Sequence, residues 1–210
     1  YDPATATFTF TPGLAQARVY EIGILTASTN ETGAVKIGVA DKWNDPANVP
    51  VQDPLQYGEE YGLPVLFLSP TPESPDYAPA GVTYRGHTYA AQAKQHGAAS
   101  LWYPKKSYTL EFPKDDKFDE PDEAGGFENK RKIVLLSTFD DNSYVRQRLA
   151  YDLWNRLDSQ HIQIQTYSAV VYLDGQYFGL YTVCDHVNGF LMEDHGYSQD
   201  GNLYKAVNHD

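Results

Sequence analysis

Cysteine is all but missing from this 210-residue chain: Cys184 is the only one. An intrachain disulfide is therefore impossible, and so are zinc sites built on four cysteines or on two cysteines with two histidines. A single cysteine fits a cytosolic protein and equally a bacterial secreted protein that does without disulfides. Long apolar runs are missing too. Nothing approaches the ~18 residues of a membrane helix, so no membrane span is expected. Basic residues are outnumbered, 16 Lys and Arg against 28 Asp and Glu, for a net charge of −12. Such a surface repels phosphate backbones and anionic lipid, which argues against nucleic acid as a partner and leaves room for one local phosphate pocket. The six histidines show no H-E-x-x-H or other metal spacing, and there is no G-x-S-x-G elbow, Walker A loop or G-x-G-x-x-G. An initiating methionine is absent, and Tyr1-Asp2-Pro3 fits a processed or excised start.

What is present suffices for a packed core: 41% of residues are hydrophobic and 21% charged. Residues 1–62 read as an extension of strands and loops, with strands at 7–10, 19–25 and 35–39 and a proline-containing loop from 41 to 62. Residues 63–210 read as the main domain. Leu63 to Leu68 is an apolar strand stopped by Pro70, Pro72 and Pro75. Residues 82–90 suggest a hairpin around Gly86 or a bulged strand, and Lys106 to Phe112 alternates cleanly. Residues 115–128 carry seven acids and one lysine and read as a solvated loop. Ile133 to Leu136 is a buried strand. A helix is predicted over 143–158, with Val145, Leu149, Leu153 and Leu157 as its buried stripe at steps of four. Two alternating runs flank Asp174-Gly175, the pattern of a tight hairpin. A short helix over 187–194 and a strand over 202–206 complete the chain. The expected fold class is α+β, a mainly antiparallel sheet with one principal helix.

Two places offer chemistry. Gly97 to Ser100, followed by Pro104-Lys105-Lys106, combines small residues that let backbone N–H groups approach an anion with cations on the next strand. A tight turn before solvent-facing lysines fits the same residues. Arg146 on the long helix is placed to reach a carboxylate or phosphate bidentately, whereas Arg148 reads as a solvated helix face. Trp43, Trp102 and Tyr103 would suit a carbohydrate platform, or core and interface packing.

Three blocks read together resemble the spore-coat protein H (CotH) family of atypical secreted protein kinases. The first is His96-Gly-Ala-Ala-Ser100 with Pro104-Lys-Lys-Ser-Tyr108. The second is Ile133 to Ser137 leading through Asp141, Ser143 and Arg146. The third is Tyr172 to Val183 with Leu203-Tyr204-Lys205. The resemblance covers roughly 60–206 and implies a protein-kinase-like small lobe. It implies nucleotide-binding roles for Gly97, Ser100, Lys105 or Lys106, Arg146, Val183 and Asp185. Strand alternation puts the two lysines on opposite faces, and Lys106 is favoured. It also implies ATP as phosphoryl donor, Mg or Mn as cofactor, Ser/Thr of a secreted, surface or coat protein as acceptor, and a secreted or cell-surface location. The family's catalytic and metal-binding aspartates are expected beyond the Leu-Tyr-Lys segment, so no catalytic or metal residue is assigned here and the fragment itself is expected to be inactive. His96 stands where the family usually has Arg and Ala99 where it often has Ser. Both departures favour the alternative, a non-catalytic surface or adhesion module.

Overall fold

The structure, a computed structural model, describes residues 18–25, 32–39, 52–120, 127–160 and 162–204. The chain divides into two units, Tyr1–Gln52 and Asp53–Asp210. In the first, β1 (Arg18–Leu25) and β2 (Thr32–Val39) pair antiparallel in register from Arg18↔Val39 to Leu25↔Thr32. The strand expected at 7–10 lies outside the described residues.

The second unit is a closed seven-stranded β-barrel. A two-residue β3 (Glu59–Glu60) pairs with β4 (Leu63–Ser69), and β5 (Ala78–Tyr84) and β6 (His87–His96) follow. A 3-10 turn (Ala99–Trp102) leads to β7 (Ser107–Glu111), and β8 (Phe118–Glu120) pairs only with β9 (Phe127–Lys130). After β10 (Lys132–Leu136) come the helix α1 (Arg146–Leu157), β11 (Thr166–Leu173), β12 (Gln176–Asp185) and the helix α2 (Gly189–Asp194). The ring runs β4-β5-β6-β7-β10-β12-β11, and a parallel pairing of β11 with β4, from Val170↔Val65 to Leu173↔Leu68, closes it. The expected α+β kinase-like small lobe is therefore corrected: the unit is mostly strand, its sheet has closed on itself, and one main helix stands beside it.

The physical reason lies in β4 and β11. β4 is an apolar run from Leu63 to Leu68 and β11 becomes one from Ala169 to Leu173, the pattern of strands covered on both faces and paired on both edges. Leu66 and Leu68 point into the barrel core, while Val65 and Phe67 pack outside it with Val170 and Tyr172. The hairpin turn adds a clasp. Asp174 (φ 50°) and Gly175 (φ 79°) take the positive φ of a type I′ turn, as expected from the Asp-Gly pair. The Asp174 carboxylate then accepts from Ser69 Oγ at 2.9 Å and Thr71 N at 3.1 Å, tying the end of β4 to the hairpin.

Two further expectations are corrected. The acidic 115–128 segment is not simply solvated: Phe118, Glu120 and Phe127 are buried, and the two phenylalanines join the barrel core against Tyr84, Phe112 and Tyr167. Helix α1 forms where predicted, but its stripe is not buried. Val145, Leu149, Leu153 and Leu157 are 56%, 53%, 55% and 74% exposed. The helix is held instead by polar contacts: Trp154 Nε1 to Ile162 O at 3.0 Å, and a reciprocal pair between Asn155 and the Ile164 backbone at 2.8 and 2.9 Å. Residues 202–204 are not in a strand, and 205–206 lie outside the described residues.

Candidate functional site

A cleft of about 520 Å³ opens where the β6–β7 connection meets the loop between β10 and α1. Gly97, Ser100 and Arg146, three of the residues singled out from sequence, line it together. Gly97 sits at φ 127°, and a Cβ there would lie 2.0 Å from Ser100 Oγ. Only glycine allows the turn to fold so tightly onto the serine. Across the cleft, Asp141 caps α1. Its carboxylate accepts from Ser143 N at 3.0 Å, Ser143 Oγ at 2.6 Å and Arg146 N at 2.9 Å. The Ser143 hydroxyl bond, with the helix amides, holds this carboxyl below its usual value. Arg146 Nε stands 3.6 Å from it, with the side chain 78% exposed at the opening.

The other predicted site residues do not line this cleft. Lys106 Nζ donates to Leu101 O and pins the 3-10 turn that carries Ser100. Lys105 and Lys106 both precede β7, so strand alternation does not place them, and the Lys105 side chain runs to a different partner. Its ammonium donates to Leu180 O at 2.6 Å and lies 4.4 Å from the Tyr181 ring and 5.2 Å from the Tyr144 ring. Val183 is fully buried in the barrel wall, paired to Leu135 on one side and Tyr167 on the other, which leaves its backbone no free edge. Asp185 is buried in an ion pair with Lys130 at 3.0 Å and accepts from Gln165 N at 2.7 Å.

Burial pushes the Lys105 pKa down to about 8 from its usual 10.5. The folded value lies below the unfolded one, so holding the cation costs stability below pH 8, and that cost fades as pH rises from about 8 to about 10.5. The group is partly solvated, which limits the effect to roughly 1–2 kcal/mol. Urea midpoints across this range are expected to rise for the wild type relative to Lys105→Met, which lacks the titrating group.

Sequence reasoning missed Thr138. It lines the cleft, is buried, and takes φ 45°, a conformation that β-branched residues rarely adopt. Its Oγ1 has no hydrogen-bond partner. Ser107 Oγ, beside it, accepts from Ser137 N at 3.0 Å. A strained residue with an orphaned hydroxyl on a cleft wall marks a place where the fold has given up stability. The only sequence signal was a polar Ser-Thr after a buried strand; a positive φ at threonine has none.

A closed β-barrel carrying a polar cleft between a glycine turn and a capped helix start is thus the class of module present. A model of the CotH kinase protein family matches residues 93–210, more than half of the chain. This chain belongs to the CotH kinase family. The match begins at Ala93, inside β6, and spans every segment that lines the cleft. A search of curated proteins finds no match. No helix among the described residues is long and apolar enough to cross a membrane.

Proposed function

We propose that residues 53–210 supply the nucleotide-cradling part of an atypical protein kinase. ATP is the phosphoryl donor, and Ser/Thr of a secreted, surface or coat protein is the acceptor. The observation that carries this reading is the overlap between the family match and the cleft, whose wall holds Gly97, Ser100 and Arg146. The glycine turn suits close approach of backbone amides to phosphate oxygens. Arg146 adds an exposed cation on a protein whose net charge of −12 otherwise opposes ATP. Lys106 acts on the phosphates through the turn it pins, by holding Ser100 in place. The cofactor Mg or Mn belongs to the same proposal, but among the described residues no three His, Cys, Asp or Glu side chains group as metal ligands. No step is therefore assigned to a metal on this chain. A secreted or cell-surface location goes with the same reading.

One observation favours a second reading. Both lysines donate to backbone carbonyls, Leu101 O and Leu180 O, instead of facing the cleft. A surface or adhesion module that kept this fold without catalysis would look the same. Calorimetric titration with Mg-ATP separates the two. The kinase reading expects weak saturable binding that falls by about tenfold in Lys106→Ala, because the charge-assisted bond to Leu101 O that pins the Ser100 turn is lost, with Lys105→Ala less affected. No heat of binding in the wild type favours the module.

A further inference from the structure

Helix α1 is out of character with the rest of the molecule. The chain has a net charge of −12, yet Arg146–Leu157 holds three arginines and one aspartate. None of its residues is buried. Helices this short are marginal in water and normally draw their stability from packing an apolar face. Here the apolar ridge of Val145, Leu149, Leu153 and Leu157 stands in solvent, while polar contacts from the other side hold the helix to the barrel.

The ridge borders a cleft of about 350 Å³, walled by Val145, Leu149, Arg148 and Asp152. The Arg148 guanidinium donates through Nη1 to Ser168 Oγ at 2.8 Å, but its Nε is buried with no partner. Arg148 forms no ion pair among the described residues. The neighbouring Asp152 already pairs with Arg156 at 3.0 Å. A half-buried cation without a counter-charge, set beside an exposed aliphatic ridge, is one half of an interface.

We infer that α1 is a docking surface for an acidic amphipathic helix of a partner protein, whose aliphatic ridge packs on Val145, Leu149 and Leu153 and whose carboxylate pairs with Arg148. An i±4 ridge such as this one packs into the i±4 groove of another helix. Charge complementarity selects the occupant through Arg148: Arg146 and Arg156 already have Asp141 and Asp152 beside them, and a basic helix would leave Arg148 without a counter-charge. An anionic bilayer is the poorer fit, since a flat surface would meet the wider −12 chain as well as α1, whereas a single helix meets only the arginine-bearing face.

The test uses blocked, Ala-based helical peptides with leucines at steps of four, flanked by glutamates in one version and by lysines in the other. Fluorescence anisotropy with the full chain is expected to show the glutamate peptide binding about tenfold or more tightly than the lysine peptide. Leu149→Asp, an exposed position that leaves the fold intact, is expected to abolish binding. Arg148→Met, with an unchanged thermal midpoint, is expected to remove the preference between the peptides. Equal binding of both peptides, or binding of neither, would overturn the inference. So would binding to phosphatidylserine-containing vesicles without peptide binding, or concentration-dependent dimerisation of the chain that Leu149→Asp relieves.

Discussion

Replacing Lys130 with methionine is expected to lower the unfolding free energy by about 3–5 kcal/mol, the range for removing one partner of a buried ion pair. Lys130 and Asp185 are 6% and 4% exposed, and their charged atoms are 3.0 Å apart. Lys130 also reaches Asp194 on α2 at 3.2 Å, so one ammonium joins β9, the end of β12 and the second helix. Without it, the Asp185 carboxylate stays buried with only the Gln165 amide to stabilise it. Burial already pushes this carboxyl up, against the pull of Lys130 and that amide, and the variant is expected to push it further up. Urea unfolding of Lys130→Met and of the double variant Lys130→Met/Asp185→Leu measures this. The double variant is expected to recover most of the loss, because an apolar pair of similar volume replaces a buried ion pair at little cost. A single variant with an unchanged midpoint would show that the pair is solvated.

The Lys130 result bears on the site as well as on stability. Asp185 stood out in the sequence as a residue beside the nucleotide, because it follows the hairpin in the order the family pattern shows. The structure gives it a partner 55 positions away in sequence, and no periodicity or motif connects the two. The same limit explains the barrel. The β11–β12 hairpin is legible from alternation, and the Asp174-Gly175 turn from its two residue types, because these are local signals; the β8–β9 pair is not, because its acids read as a solvated loop. The β4–β11 pairing joins segments about a hundred residues apart, and only the apolar stretches Leu63 to Leu68 and Ala169 to Leu173 hint at it. The stripe on α1 is the instructive miss. Its spacing was read as a face for this sheet, but spacing shows that a helix has an apolar face and not what covers it. At the cleft, Gly97, Ser100 and Arg146 were legible because a tight glycine turn and a capped helix start have residue signatures. Thr138, Ser107 and Ser137 have none.

The Glu120 carboxylate is expected to be the second point at which a single change loosens the fold, and Glu120→Ala is expected to cost about 2–4 kcal/mol. Glu120 is fully buried at the end of β8, in the segment that reads from sequence as a solvated acidic loop. It accepts from the Tyr84 hydroxyl, from Arg85 Nε at 2.6 Å and from Arg85 Nη2 at 3.1 Å. Arg85 sits in the turn between β5 and β6 at φ 46°, so the carboxylate ties that turn to the β8–β9 ribbon. Alanine would leave a cavity and strand the Tyr84 hydroxyl, which is 1% exposed; the guanidinium, at 36%, can turn to water. That escape is why the expected loss is smaller than for Lys130. Glu120→Gln keeps the volume and one acceptor, and is expected to lose less than half as much. Calorimetric unfolding of the two variants separates charge from packing. Equal losses would make the ion pair the dominant contribution, and a near-zero loss in both would mean that Phe118 and Phe127 alone hold the ribbon to the barrel.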